Sequence, residues 1–209
     1  MNDLADHALR LRALPPSCGP VRLVAVDGHA GSGKSTFAAR LASALGGAPV
    51  LHLDDLASHG AFFAWTDRLR EQVLEPFSRG DSARYAPYDW TARRFGPART
   101  LEPAGVVLVE GVGAGRRCVR PALARLLWMD MDRERAWARG RRRDGPALAE
   151  FWDGWTAAEE RHFADDPSLP FVDTVIRQVP EGYEWLDGLR KGTGTNCSVT
   201  HGERNVPPR

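Results

Sequence analysis

Apolar and polar positions fall into two alternating regimes along the chain. Five short runs are apolar at nearly successive positions: VRLVAVDG (Val21–Gly28), PVLHLDDL (Pro49–Leu56), GVVLVEG (Gly105–Gly111), LLWMDM (Leu126–Met131) and DTVIRQV (Asp173–Val179). Such runs suit strands buried on both faces, as in a parallel sheet. Between them apolar residues return every three or four positions. That spacing predicts helices over Ser35–Leu45, Asp67–Phe77, Arg116–Arg125, Asp132–Arg143 and Ala147–Ala164. The first of these stops at Gly46–Gly47, a fitting helix C-terminus. The opening stretch reads as a short amphipathic helix ended by Pro15–Pro16.

Strands alternating with helices predict an α/β fold with a mainly parallel five-stranded sheet flanked by helices. Residues 1–18 are then an N-terminal helix and linker, and 19–189 one domain. The segment 190–209 is polar and aperiodic and reads as a disordered tail. No internal repeat is visible.

The junction of the first strand and first helix carries Gly28-x-x-x-x-Gly33-Lys34-Ser35, the spacing of a phosphate-binding P-loop. Loop amides and the helix N-terminus together bind phosphate, so the strand-loop-helix setting gives the motif its meaning. Gly28, His29, Ala30, Gly31, Ser32, Gly33, Lys34, Ser35 and Thr36 are the predicted nucleotide-binding residues, with the Ser35 hydroxyl offered to Mg²⁺.

Composition sharpens this. Of 28 basic residues in the 209, only Lys34 and Lys191 are lysine; the rest are arginine. The lysine falls where a compact ammonium on a thin stem must enter a loop that a planar guanidinium would not fit. With 27 acidic residues the charge is balanced, so nothing global points to nucleic acid or a membrane surface. No apolar run approaches the ~20 residues of a membrane span. Three scattered cysteines (Cys18, Cys118, Cys197) lack metal spacing, and a reduced cytoplasm is the expected compartment.

Two acidic positions close apolar runs at the rim where ligands bind in open α/β sheets. Asp54 in HLDD is placed to accept a proton from a substrate hydroxyl, and Glu110 in VVLVEG to orient Mg²⁺. The plainer alternatives are that Asp54 or Asp55 caps a helix and that Glu110 pairs with an arginine. Arg135, Arg139 and Arg142 recur on one helix face with Arg143 nearby, and Gly140 interrupts them as a candidate hinge. Such a stripe is either a solvated face or a lid, at about 133–146, closing over a phosphoryl group. In YAPYDW, Tyr88 and Trp90 either pack or stack on a substrate, and Asp89 is placed to bind vicinal hydroxyls. Phe151, Trp152, Trp155 and Phe163 read as core, and His52, His59 and His162 have no ligand-like spacing.

The ordered set DG-x-x-GSGKST, HLDD, YDW, VEG and RGRRRDG resembles the uridine kinase and nicotinamide riboside kinase group of P-loop kinases, over roughly Val21 to Val179. The resemblance implies an ATP- and Mg²⁺-dependent phosphotransferase acting on a small-molecule hydroxyl, a nucleoside foremost. It implies Asp54 as general base, with Lys34, Glu110, Arg139 and Arg142 completing the catalytic set. Arg143 would join the phosphate-binding arginines. Asp54, Asp55, Tyr88, Asp89, Trp90 and Arg93 would form the acceptor site, and Ser35 and Glu110 the metal site. The chain departs from the pattern at Leu56, where the family usually has an aromatic. A kinase acting on an antibiotic or other hydroxylated metabolite is the alternative. A nucleotide switch would carry an Asn/Thr-Lys-x-Asp tetrapeptide, which is missing here. Expected partners are thus a small molecule, neither nucleic acid nor membrane, in a monomer or homodimer.

Overall fold

The computed structural model describes residues 4–188; the predicted tail lies outside them. Strands in chain order are β1 (Arg22–Asp27), β2 (Val50–His52), β3 (Ala83–Tyr85), β4 (Tyr88–Asp89), β5 (Arg94–Phe95), β6 (Arg99–Leu101), β7 (Val106–Glu110), β8 (Arg125–Asp130), β9 (Thr174–Val179) and β10 (Gly182–Asp187). Helices are α1 (Leu4–Arg12), α2 (Lys34–Ala44), α3 (Thr66–Leu69), α4 (Glu75–Ser78), α5 (Arg133–Asp144) and α6 (Ala149–Asp165). A π-helical stretch, Arg70–Leu74, joins α3 to α4, so the helix expected over Asp67–Phe77 runs unbroken.

The main sheet has the order β10-β9-β8-β1-β7-β2, parallel except for β10 against β9. All five strands expected from the apolar runs are in it. The sixth, β10, was not anticipated: it is a half-buried edge strand, and Trp185 and Tyr183 give it too little apolar content for a run.

Successive residues of the central strands face opposite layers, as the pleat requires. Val24, Val26, Leu108 and Leu127 pack beneath Phe37 and Leu41 of α2. Leu23, Ala25, Val107 and Val109 pack on the other side with Trp65, Leu69, Val73 and Phe77. Each valine, leucine and phenylalanine among them stabilises the fold by about 1.5–3 kcal/mol on burial. That double layer explains why β1 and β7 read as continuous apolar runs.

Three expectations are corrected. Arg116–Arg125 forms turns and one 3₁₀ turn, Arg120–Ala122, instead of a helix. Pro121 lacks an N–H and disfavours helical geometry before it, and Arg120 instead donates to the carbonyls of Gly115 and Pro167. The second strand stops at His52, and Leu53–Asp55 makes a 3₁₀ turn that carries both acids. The YAPYDW segment, which follows a polar, turn-rich stretch and would be expected on a loop, instead carries short strands: β3 pairs with β6 and β4 with β5, in two two-stranded sheets. Among the described residues no helix is long and apolar enough to cross a membrane.

Candidate active site

At the end of β1 the buried Asp27 fixes the entry to the P-loop. Its carboxylate accepts from the backbone N–H groups of Gly28 (2.7 Å), Gly113 (2.8 Å) and Gly115 (2.8 Å). One side chain thus ties the loop after β1 to the loop after β7. Helix α5 packs directly on the P-loop: a Cβ on Gly31, at φ +84°, would stand 2.1 Å from the carbonyl oxygen of Ala136. Glycine is required there for both conformation and space.

The N-terminus of α2 has no side-chain cap, which leaves its first-turn N–H groups for an anion. Lys34 Nζ donates to the carbonyls of Gly28 (2.9 Å) and His29 (3.0 Å), holding the ammonium at the loop. Ser32 Oγ is buried with no hydrogen-bond partner. An uncapped helix start, a parked ammonium and an orphaned hydroxyl fit a bound phosphate chain.

The two predicted acids converge on this loop. Asp54, Glu110, Lys34 and Ser35 line one cavity of about 550 Å³. Ser35 Oγ donates to Glu110 Oε1 at 3.0 Å, and His52 Nδ1 donates to the same oxygen at 2.5 Å. Burial pushes the Glu110 pKa up, but His52 and Lys34 outweigh it and hold the carboxyl below its ordinary value. Asp54 lines the cavity and is itself solvent-exposed, although protein atoms surround it closely. Burial first, and the Glu110 charge second, raise its pKa from 3.8 to about 6, against the pull of Lys34 and His52. The two carboxylates are thus set apart in basicity, Glu110 held toward the anion and Asp54 raised toward neutrality. Asp55 turns away toward Tyr85 Oη, 3.4 Å from it.

The arginines divide. Arg139 lies over the P-loop, its Nη1 3.4 Å from where a Cβ on Gly33 would be, and Arg143 lines the cavity beside Asp144. Arg142 is exposed. Gly140 has a packing role in place of the expected hinge: α5 runs through it without a break, and a Cβ there would stand 2.2 Å from the Trp152 ring.

Of the predicted acceptor residues, Asp54, Trp90 and Arg93 line the cavity; Asp55, Tyr88 and Asp89 are not part of its wall. Asp89 Oδ1 instead accepts from the N–H groups of Thr91 and Ala92, holding its own turn. Tyr88 stands behind the wall, its hydroxyl 3.1 Å from His59 Nδ1. Phe151, Trp152 and Trp155, expected as core, are well packed yet also face the cavity, as does His59. Phe163 packs inside against Trp128 and His29.

Sequence reasoning missed Glu159, which is fully buried on α6. Its carboxylate accepts from His29 Nδ1 (2.8 Å), the Ala30 N–H, Trp137 Nε1 (3.0 Å) and Trp155 Nε1 (3.0 Å). It therefore joins the P-loop, α5 and the cavity wall. Asp27, His52 and His59 were also missed as site residues. The one available signal was Asp27 in the DG pair that opens the P-loop motif.

No family model and no curated protein matches the chain. Solved structures do. A "Possible Uridine Kinase" from Bacillus stearothermophilus superposes with a TM-score of 0.61 at 18% identity, over 83% of this chain and 97% of that one. A "putative fructose transport system kinase" from Silicibacter sp. TM1040 gives a TM-score of 0.54 at 20% identity, over 80% and 91%. The chain shares the fold of these two structures, and the P-loop spacing stands in its own sequence.

Proposed function

We propose that this chain is an ATP-dependent phosphotransferase that moves the γ-phosphoryl group to a hydroxyl of a small molecule, with nucleosides foremost among the acceptors. The observation that carries the reading is one cavity lined by both Lys34 of the P-loop and Asp54 of the β2 rim. A phosphate chain on the loop and a hydroxyl at Asp54 then meet within it.

The acceptor hydroxyl passes its proton to Asp54 as its oxygen bonds to the γ-phosphorus. The bond from that phosphorus to the bridging oxygen breaks, and the electron pair leaves with ADP. Lys34, the α2 N-terminus and Arg139 stabilise the charge spread over the phosphoryl oxygens. Asp54 is mostly ionised at pH 7 yet basic enough to take the proton, as general-base catalysis favours. Ser35 and Glu110 would hold Mg²⁺, which supplies further charge neutralisation on the phosphates. Packing of α5 and α6 around the site would exclude water, which suppresses idle ATP hydrolysis.

The test is ATP turnover against nucleosides, vitamins, sugars and hydroxylated antibiotics, with the phosphorylated product identified by mass spectrometry. Acceptor-dependent ADP release with a phosphomonoester product supports the reading. Nucleotide binding that no acceptor converts into transfer, alongside a nucleotide-dependent change of conformation, would favour a switch instead.

A further inference from the structure

Strand register gives Glu110 two neighbours in the sheet. β7 lies between β1 and β2, and at its end Glu110 pairs with Val26 on one side and His52 on the other. Side chains paired across neighbouring strands share a face of the sheet. Val26 is apolar, so His52 is the cross-strand neighbour with a hydrogen bond to give. It gives that bond to one oxygen, with Nδ1 2.5 Å from Glu110 Oε1.

Ser35 Oγ reaches the same oxygen at 3.0 Å, so both protein donors converge on Oε1. Among the described residues no donor reaches Oε2, yet that oxygen is not sealed from solvent. Glu110 lines the cavity, and Oε2 is the oxygen it offers there. The two donors differ in place. Ser35 belongs to the P-loop, and its hydroxyl would itself meet the cation. His52 is no part of the cavity wall: it sits on the edge strand β2 with 48% of its side chain exposed. A neutral imidazole with its proton on Nδ1 is donor enough, so the contact works by direction and needs no charge on the ring. Partners that fix a metal-binding carboxylate in this way govern how well it holds its ion.

We propose that His52 is a positioning residue for the Mg²⁺ site, pinning Oε1 of Glu110 so that Oε2 is held toward the cation. The use made of that cation rests on the phosphotransfer reading; the pinning does not.

The test uses the full chain and reads cation binding directly. Mn²⁺, a paramagnetic stand-in for Mg²⁺, is titrated by electron paramagnetic resonance into protein saturated with ADP. ADP binding is measured separately in EDTA. His52→Ala should weaken Mn²⁺ binding by about 10–100-fold, the usual loss when such an orienting partner is removed. ADP affinity in EDTA should stay within about twofold, as for a surface substitution away from the phosphates. His52→Asn sets an amide N–H where Nδ1 stood and should restore Mn²⁺ affinity. His52→Gln sets its amide one bond farther out, at the place of Nε2, and should bind Mn²⁺ as weakly as His52→Ala.

Unchanged Mn²⁺ affinity in His52→Ala would overturn the proposal. So would an equal loss of ADP affinity in EDTA, which marks a general disturbance of the loop, or rescue by glutamine in place of asparagine. Should His52→Ala not fold, the asparagine and glutamine variants decide by the same contrast. The expected pattern in a protein that phosphorylates no acceptor would support the pinning and sink the kinase reading alone.

Discussion

Glu159 and His29, 130 residues apart in the chain, meet at 2.8 Å across the P-loop. The contact is made in the fully buried carboxylate's own pocket, where two indole N–H groups and the Ala30 N–H point at the same group. Burial pushes the Glu159 pKa up, but the His29 hydrogen bond and the Lys34 charge more than offset it and hold the group ionised. Glu159 acts as a positioning residue: it touches no reacting atom but holds the loop that does.

Glu159→Gln keeps the volume and replaces an acceptor oxygen with a donor facing other donors. Leaving buried groups unpaired costs about 1–3 kcal/mol, which for a chain of this size lowers Tm by roughly 2–12 °C. ATP affinity should fall as well, because the P-loop loses its clamp. A thermal melt with and without ATP checks both effects. An unchanged Tm together with unchanged ATP affinity would remove the positioning role.

Asp54→Asn should lower kcat by ~10²–10⁴, the usual contribution of a general base, and leave ATP affinity nearly unchanged. Asp55→Asn should be much milder, because that carboxylate faces Tyr85 and not the cavity. The two acids sit on a 3₁₀ turn, so their divergence comes from the turn and not from strand alternation. Single-turnover rates for the pair, with nucleotide binding as control, decide the assignment. A larger loss from Asp55→Asn would transfer the base to the other carboxylate.

The same carboxylate sets the pH dependence. With a pKa raised to about 6 by burial and by Glu110, Asp54 is ionised above that value and protonated below it. A protonated base cannot accept the hydroxyl proton, so kcat/KM should fall as pH drops through about 6, tenfold per unit well below it. For stability the sign is opposite. A carboxyl with a raised folded pKa binds its proton more tightly folded than unfolded, so stability falls as pH rises from 3.8 toward about 6. Asp54→Asn should therefore be the more stable protein at pH 8, with its advantage shrinking at pH 4. Melts at the two pH values read this directly; an advantage that is larger at pH 4 would mean the pKa is not raised.

The arginines offer a contrast within one helix. Both side chains are exposed, and Arg139 overlies Gly33 of the P-loop. Arg139→Ala should lower kcat by roughly 10–1000-fold, as for loss of one charge stabiliser, whereas Arg142→Ala should change it by less than about threefold, as for a surface substitution. Steady-state kinetics at saturating ATP measure both. Equal losses would restore the single arginine stripe that the helical spacing implied.

What the sequence disclosed was local. The P-loop is nine consecutive residues between a strand and a helix, and the apolar runs of β1 and β7 follow from burial within the strand. Asp54 and Glu110 were legible because each closes such a run. Glu159 and Asp27 were not, because the partners that tie them to the site, His29 for one and Gly113 and Gly115 for the other, lie 130 and 86–88 residues away, and a glutamate in a helix looks alike whether it is solvated or buried. Trp152 and Trp155 have the spacing of core residues and are well packed; only the fold reveals that the cavity opens along the face they share. Arg116–Arg125 has helical spacing, but Pro121 and the arginine contacts to distant carbonyls decide otherwise.

Gly140 provides the sharpest test of how the lid and wall are joined. In an exposed helix Gly→Ala stabilises by about 1 kcal/mol through propensity alone. Here the new Cβ would stand 2.2 Å and 2.4 Å from two ring carbons of Trp152. That ring cannot simply swing aside, since Nε1 is anchored on Asp144 at 3.1 Å and Arg141 lies over the ring. Overpacking of this kind costs about 1–3 kcal/mol, which matches or exceeds the propensity gain. Gly140→Ala should therefore be neutral to destabilising by up to about 2 kcal/mol, and the displaced ring should raise the acceptor KM more than the ATP KM. Combining it with Trp152→Leu removes the obstacle. The alanine should then stabilise relative to Trp152→Leu alone, a sign change that a double-mutant cycle of thermal melts records as a coupling of about 1–3 kcal/mol. Additive effects, with alanine stabilising in both backgrounds, would mean that Gly140 is held open for movement and not for the ring.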